Sequence, residues 1–263
     1  MRKLLMATLT LALTTAASAA SLTQTIDQTF DVRAGADVVL KNVNGRITVK
    51  AWDQPRVKVV AVKEVEAGKS ELQQVMKELR VEMQPRDGGL VITTHYPKRN
   101  EGVGSIVDWI FGDGVSAEVT YDLMVPRTMN VDVSNVNGAI HLTEVTGRHE
   151  LETTNGKIEV TRCAGSLDAS TTNGSIHAEL TRVNKGGPLR FETTNGRIEI
   201  AVPATLAADL DAGTTNGSIH TDLPVATTRM SSNSLRGAIN GGGMQIRMRT
   251  TNGGIEIRSA GKS

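Results

Sequence analysis

The chain has 263 residues, with 29 Lys and Arg against 28 Asp and Glu, and this near balance gives no electrostatic reason to expect nucleic acid as a partner. Its single cysteine excludes an intramolecular disulfide, and only 3% of its residues are aromatic. No segment is long and apolar enough for a membrane helix, which needs about 20 residues.

At the N-terminus, Arg2 and Lys3 precede an apolar run from Leu4 to Leu13 and then small residues ending in Ala17-Ser18-Ala19. A basic start, a short apolar run and an Ala-x-Ala site predict a secretory signal peptide over residues 1–19, cleaved after Ala19 or Ala20. No Cys follows the small residues, so lipid attachment is not expected. Loss of Arg2 and Lys3 leaves 27 basic against 28 acidic residues, a formal charge of −1. The expected location is periplasmic or extracellular, with no transmembrane segment after cleavage.

Residues 20–130 read as an N-terminal β unit. The stretch "VVLKNVNGRITVKAW" carries an isolated copy of a motif that recurs later, and "RVKVVAVKEV" (56–65), "GLVITTHY" (89–96) and "AEVTYDLMV" (117–125) alternate as strands do. Between them Leu72, Val75, Met76 and Leu79 follow helical spacing, and Ser70 with Gln73 forms a capping box. The spacing predicts a helix over 70–82 that covers an open end of the strand stack. An apolar-centred insertion, "KRNEGVGSIVDWIFGDGVS", occupies 98–116.

From residue 131 to 258 the chain repeats Thr-Thr-Asn-Gly-x-Ile, and 259–263 form a tail. Asn44, Asn137, Asn155, Asn173, Asn195, Asn216 and Asn252 hold the Asn position, with Arg236 in one degenerate unit; from Asn137 the steps are 18, 18, 22, 21, 20 and 16 residues. Three residues later stands Ile47, Ile140, Ile158, Ile176, Ile198, Ile219, Ile239 or Ile255. Apolar columns also precede the Asn, including Val131, Leu167, Leu189, Leu210, Met230 and Ile246. A period near 20 with two-residue alternation predicts an all-β, β-solenoid fold of about seven to eight coils with one short capping helix. A meander of hairpins with Asn-Gly turns has the same parity. It gives no reason for one residue type to recur in every unit, whereas stacked coils place counterparts about 4.8 Å apart. The Asn residues are read as structural corners, where Asn and Gly can take left-handed backbone. The threonines share the inward parity, so their hydroxyls are expected to bond neighbouring backbone. Cys163 reads as a small, partly buried residue.

The chain resembles the bacterial putative-adhesin family of exported β-strand-repeat proteins, over about residues 28–258. The likeness is carried by "NVNGRITVKAWDQPRVKVVAVK", by "TYDLMVP" leading into "VDVSNVNGAIHL", and by the Thr-Thr-Asn-Gly-x-Ile units. It implies a β-solenoid and an envelope or surface location; the insertion departs from the family pattern.

No nucleophile–base pair, zinc-protease motif or phosphate loop is present, so no catalytic residue and no cofactor are expected. The outward position after the Ile reads Thr48, His141, Glu159, His177, Glu199, His220, Asn240 and Glu256. Its central members are read as cross-strand pairs, with His141, Glu159, His177, Glu199 and His220 as weak metal candidates. Any such site would hold fewer ligands than a firm zinc site. Ile106, Val107, Trp109, Ile110 and Phe111, flanked by glycines, are candidates for docking a partner. The expected function is a non-enzymatic binding, adhesin-like or structural module of the envelope, acting on an envelope protein, glycan or lipid surface. The alternative is a carbohydrate-active enzyme on a β-helix, which would need carboxylates projecting from three neighbouring coils.

Overall fold

The computed structural model describes residues 8–15, 20–68, 71–97, 115–183 and 187–260. The first part holds β1 (Thr8–Thr15), β2 (Ala20–Asp31), β3 (Asp37–Lys41), β4 (Ile47–Trp52), β5 (Arg56–Ala67), α1 (Leu72–Glu78), β6 (Arg80–Arg86), β7 (Gly89–His95) and β8 (Ser116–Pro126). The repeat region continues with β9 (Asn130–Ser134), β10 (Ile140–Thr143), β11 (Thr146–Asn155), β12 (Ile158–Asn173), β13 (Ile176–Val183), β14 (Leu189–Asn195) and β15 (Ile198–Val202). It ends with β16 (Ala208–Asn216), β17 (Ile219–Thr221), β18 (Val225–Ser231), β19 (Ser234–Ile239), β20 (Met244–Asn252) and β21 (Ile255–Ser259). The fold is all-β with one short helix, and no described helix is long and apolar enough to cross a membrane.

Two parallel ladders organise the strands. The first runs β7, β3, β9, β11, the second half of β12, β14, β20 and β16. The second runs β8, β4, β10, the first part of β12, β13, β15, β21 and β17. Each Asn-Gly of the repeat motif leads from a strand of the first ladder to one of the second, so its flanking strands do not pair as a hairpin. The Ile column is buried to 0–1% exposure from Ile47 through Ile140, Ile158, Ile176 and Ile198 to Ile255. The alternation fixes this: a one-residue slip would turn each column out to solvent.

The stacking order is not the chain order. The C-terminal strands β20 and β21 insert between β14–β15 and β16–β17, so the last repeat lies inside the stack. At the other end, β7 and β8 form a unit of their own, with Tyr121 opposite Ile47, ahead of the unit of Asn44. Sequence reading left this unit out because it has no Asn-Gly; the insertion 98–116 stands where the corner would be. The degenerate unit around Arg236 is not a stacked unit either. Its segment forms the antiparallel strands β18 and β19 on β16. Ile239 therefore leaves the Ile column, and Met230, expected inside, is 73% exposed.

The expected helix over 70–82 is shorter, and residues from Arg80 onward form β6, antiparallel to β7. The turn between them carries Asp87 and Gly88 at positive φ (53° and 80°), which closes a tight hairpin and ends the helical segment early. The expected Ser70 cap lies outside the described residues; the N-cap is Glu71, without a side-chain bond. Leu72, Met76 and Leu79 are buried, and α1 packs on β5 and β2 at the end of the second ladder. There the buried Lys63 ammonium donates to Gln24 Oε1 (2.6 Å) and to the Met76 carbonyl (2.9 Å) near the helix C-terminus, where a cation is favoured.

Away from the corner, one inward position of the first ladder is not apolar among the described residues. His149 lies between Val131 and Leu167 in the first ladder, 1% exposed, with neither ring nitrogen in a hydrogen bond. Burial pulls its pKa down to about 4, against weaker opposing effects of the Val145 and Ala164 backbone. Its folded pKa lies below the unfolded value near 6.5, so the neutral-state stability is present above 6.5 and lost as pH falls towards 4. Between pH 7 and 4.5 the wild type should lose about 2 to 3 kcal/mol more than His149→Leu, read from denaturant unfolding at both pH values. Equal losses would show that His149 does not drive the acid sensitivity.

Candidate functional site

The repeated motif is consumed by contacts between units. At Gly174 an added Cβ would sit 1.9 Å from the Gly156 carbonyl oxygen, and at Gly196 it would sit 1.9 Å from that of Gly174. Glycine is therefore required by close approach of stacked backbones. The N–H groups of Gly45, Gly138, Gly156, Gly174, Gly196 and Gly253 donate to the Asn carbonyl of the neighbouring unit, as Gly156 does to Asn173 (3.0 Å) and Gly196 to Asn252 (2.9 Å). The buried threonines point back at the glycine carbonyls, as expected. Thr171 donates to Gly156 (3.0 Å), Thr193 to Gly174 (2.9 Å), Thr250 to Gly196 (3.0 Å) and Thr214 to Gly253 (2.8 Å). In earlier units Asn135 and Asn42 do the same with side-chain amides, to Gly45 (2.9 Å) and Val119 (3.1 Å).

The asparagines themselves form a ladder of amide bonds. From Asn216 it runs to Asn252, Asn195, Asn173, Asn155 and Asn137, each Nδ2 donating to the next Oδ1 at 2.8 Å. Asn44 pairs with Asn137 through the backbone and donates its amide to the Ala117 carbonyl (3.0 Å). None of the seven has positive φ, so the left-handed corner expected of Asn is not used. Gly45, Gly138 and Gly253 carry it instead (126°, 139° and 151°).

Stacking places Thr48, His141, Glu159, His177 and Glu199 in one outward column, as expected. His141 Nδ1 lies 3.3 Å from Glu159, and His177 Nδ1 lies 3.7 Å from Glu199. Burial pulls the His141 pKa below its ordinary value and outweighs Glu159. The expected alternation stops there, because Glu256 separates Glu199 from His220. Asn240, expected in this column, lies outside both ladders. The two adjacent carboxylates, Glu199 and Glu256, are bridged by Arg258 at 3.0 and 2.8 Å. Among the described residues no group of three or more His, Cys, Asp or Glu could hold a metal ion. Cys163 is fully buried, and burial pushes its thiol up to about 11, so it stays protonated. The docking candidates Ile106, Val107, Trp109, Ile110 and Phe111 lie outside the described residues.

Two arrangements escaped the sequence reading. On the outer face of the first ladder Asp132, Glu150 and Asp168 stand in register in three neighbouring units. Burial and the charge of Glu150 raise the Asp132 pKa; burial also raises that of Asp168, against Arg190. The outward parity of these positions was legible; their three-in-a-row charge was the missed signal. The second is a groove of about 700 Å³ at the capped end, where α1, β6 and β7 meet, lined by Gln74, Lys77, Arg80, His95 and Tyr96. Tyr96 is half-buried; its hydroxyl accepts from the Asn44 N–H (3.0 Å) and lies 2.9 Å from the Asn44 carbonyl, and burial keeps it un-ionised. His95 Nε2 pairs with Glu82 (2.8 Å). Lys77 and Arg80 are exposed and form no ion pair among the described residues. Glu78 also lines the groove and accepts from the Gln74 amide. Tyr96 with the two cations Lys77 and Arg80 can grip a polar ligand, and no repeat column contributes these groups.

The family described as Toastrack DUF4097 matches residues 23–258. No curated protein matches the chain. Among solved structures it is similar to a putative cell adhesion protein from Clostridium sporogenes (11% identity, 89% of this chain and 98% of that one, TM-score 0.40). It is also similar to a putative adhesin from Bacteroides fragilis (12% identity, 89% and 96%, TM-score 0.37). A third is a putative lipid binding protein from Parabacteroides distasonis (11% identity, 90% and 96%, TM-score 0.30).

The corner contacts rank the motif residues. Gly174→Ala should cost about 2 to 3 kcal/mol by forcing stacked backbones apart. Gly213→Ala, whose added Cβ meets nothing closer than 3.6 Å, should stay within about 0.5 kcal/mol. Thr193→Val, which leaves a buried carbonyl without its donor, should cost about 1 to 3 kcal/mol. Asn195→Leu removes two exposed amide bonds and should cost about 1 to 2 kcal/mol. Denaturant midpoints of the four variants check the order, and a neutral Gly174→Ala would contradict the close approach.

Proposed function

The chain belongs to the Toastrack DUF4097 family, and from that membership we propose that it is an exported, non-enzymatic β-solenoid of eight stacked units that binds a ligand of the cell envelope. The observation carrying this reading is that the motif's polar groups are spent on neighbouring units, so the repeats build a frame. The groove at the capped end adds Lys77 and Arg80, exposed cations that form no ion pair among the described residues. Export is supported by the basic, apolar and Ala-x-Ala parts of residues 1–19. The ligand is an envelope protein, glycan or lipid headgroup whose anionic or hydroxyl groups meet Lys77 and Arg80. The insertion 98–116, next after Pro97 in the sequence, is proposed as a second contribution to docking, through Trp109, Ile110 and Phe111.

A second reading, a glycan-acting enzyme, has one observation in its favour. Asp132, Glu150 and Asp168 are the row of carboxylates from three neighbouring units that such an enzyme needs, and two of them have raised pKa values. Their strands lie about 4.8 Å apart, so the outer two are about 9.6 Å apart, near the upper end of the range for an inverting pair.

Capture from envelope extracts with the exported protein separates the two. The Lys77→Glu, Arg80→Glu double variant should keep the wild-type melting temperature and lose at least about tenfold in capture of the ligand. Deleting residues 102–114 should likewise leave the fold intact and abolish capture. Unchanged capture by both variants removes the groove as the site. Release of oligosaccharide from envelope glycans that is lost in Asp168→Asn would establish the enzymatic reading instead.

A further inference from the structure

One edge of β2 is occupied by β5 along all twelve residues, in unbroken register from Ala20 opposite Ala67 to Asp31 opposite Arg56. The other edge is occupied by β1, from Ala20 opposite Thr15 to Asp27 opposite Thr8. β1 lies within the leader that export removes, so cleavage strips the outer edge of β2 over at least Ser21–Asp27. The inference rests on that part of the proposed function.

An exposed edge of this length is a template for pairing with another chain, and natural sheets blunt such edges with Lys, Pro or a bulge. Ser21-Leu22-Thr23-Gln24-Thr25-Ile26-Asp27 has no Lys and no Pro, one charge at its end, and no bulge against β5. We infer that the edge is covered by the same strand of a second copy, the two β2 strands pairing antiparallel about a two-fold axis at Gln24. Two observations favour this occupant. First, the edge accepts an antiparallel strand, because β1 already lies on it in that sense. Second, the segment is a palindrome of residue classes about Gln24. In such a pair Leu22 meets Ile26 of the partner subunit, Thr23 meets Thr25 of the partner subunit, and Ser21 meets Asp27 of the partner subunit.

In the antiparallel register of β1, Leu13 stands opposite Leu22 and Leu9 opposite Ile26. Leu22, buried, and Ile26, half-buried, share one face of β2 with Gln24, which holds Lys63 beneath α1. Thr23 and Thr25 lie on the opposite face, where threonine pairs across strands stabilise sheets. The contact is isologous, so it closes at two copies and does not propagate into a fibre. The leader thus occupies the dimer edge until it is cut.

Exported protein should first be weighed intact by mass spectrometry, then sized by light scattering at about 10 to 100 μM. The expected result is a mass lacking residues 1–19 or 1–20 and a dimer. Thr25→Lys, which puts a charge on the edge away from Lys63, should give a monomer with an unchanged circular dichroism spectrum. Thr23→Cys with Thr25→Cys should form a disulfide-linked dimer without reductant. Asp27→Cys alone should not, since the two copies of that residue lie about 20 Å apart by strand rise; the native Cys163 is buried and does not interfere. A monomer at 100 μM with the leader removed overturns the pairing and leaves the export reading standing, as does a dimer indifferent to Thr25→Lys. A mass that retains residues 1–19 overturns the export premise, and the pairing falls with it.

Discussion

The close approach of backbones at the glycine corner sets the rest of the molecule. A carbonyl oxygen of one unit occupies the space where the next unit's Cβ would be, so the corner can hold nothing larger than glycine. That contact brings the buried Thr hydroxyl within bonding distance of the same carbonyl and aligns the Asn side chains into a continuous amide ladder. The bonds are modest singly, about 1 kcal/mol net each. Their effect is on register: a unit that slipped by one residue would lose the Gly, Thr and Asn contacts together and turn its Ile to solvent.

Uniform corners also explain why the stack departs from chain order. The unit of Asn252 presents the same Thr, Asn, Gly and Ile on both sides as any interior unit, so it fits between those of Asn195 and Asn216. The unit of Asn216 is left outermost, next to the antiparallel β18 and β19. At the opposite end, β2, β5 and α1 cover the second ladder and β6 covers the first. Both ends of the first ladder thus close with antiparallel strands, which do not offer the corner to a further unit.

The parts of this architecture that repeat were legible in the sequence, because in-register stacking makes each column one residue type. Ile140 to Ile198, the threonines and the Asn positions follow from that rule. The parts that do not repeat were harder. The unit of β7 and β8 was hidden because Tyr121 stands in for Ile and the insertion for Asn-Gly. Met230 and Ile239 matched the column by spacing, yet their segment turns back antiparallel, which spacing alone cannot reveal. His149 was passed over because a polar residue at an apolar position looks like a break in the pattern. The Lys77 and Arg80 groove joins a helix to a hairpin, and only their packing brings it into existence. The Asp132, Glu150 and Asp168 row needed the stacking order before its three charges could be seen as neighbours.

A frame made this way separates stability from recognition. Its outward columns can change charge without touching the corner, as the neighbouring Glu199 and Glu256 do once Arg258 bridges them. The outer face of the first ladder shifts in the same manner, from Asp132, Glu150 and Asp168 to Arg190 and Arg247 in the following units. Such changes cost little, because exposed charge pairs contribute on the order of 0 to 1 kcal/mol, while one misplaced Cβ at the corner costs several times that. Faces and ends are therefore free to diverge while the corner is not. Specific contacts are accordingly expected where the repeat stops: at the groove of the capped end and at the edge of β2.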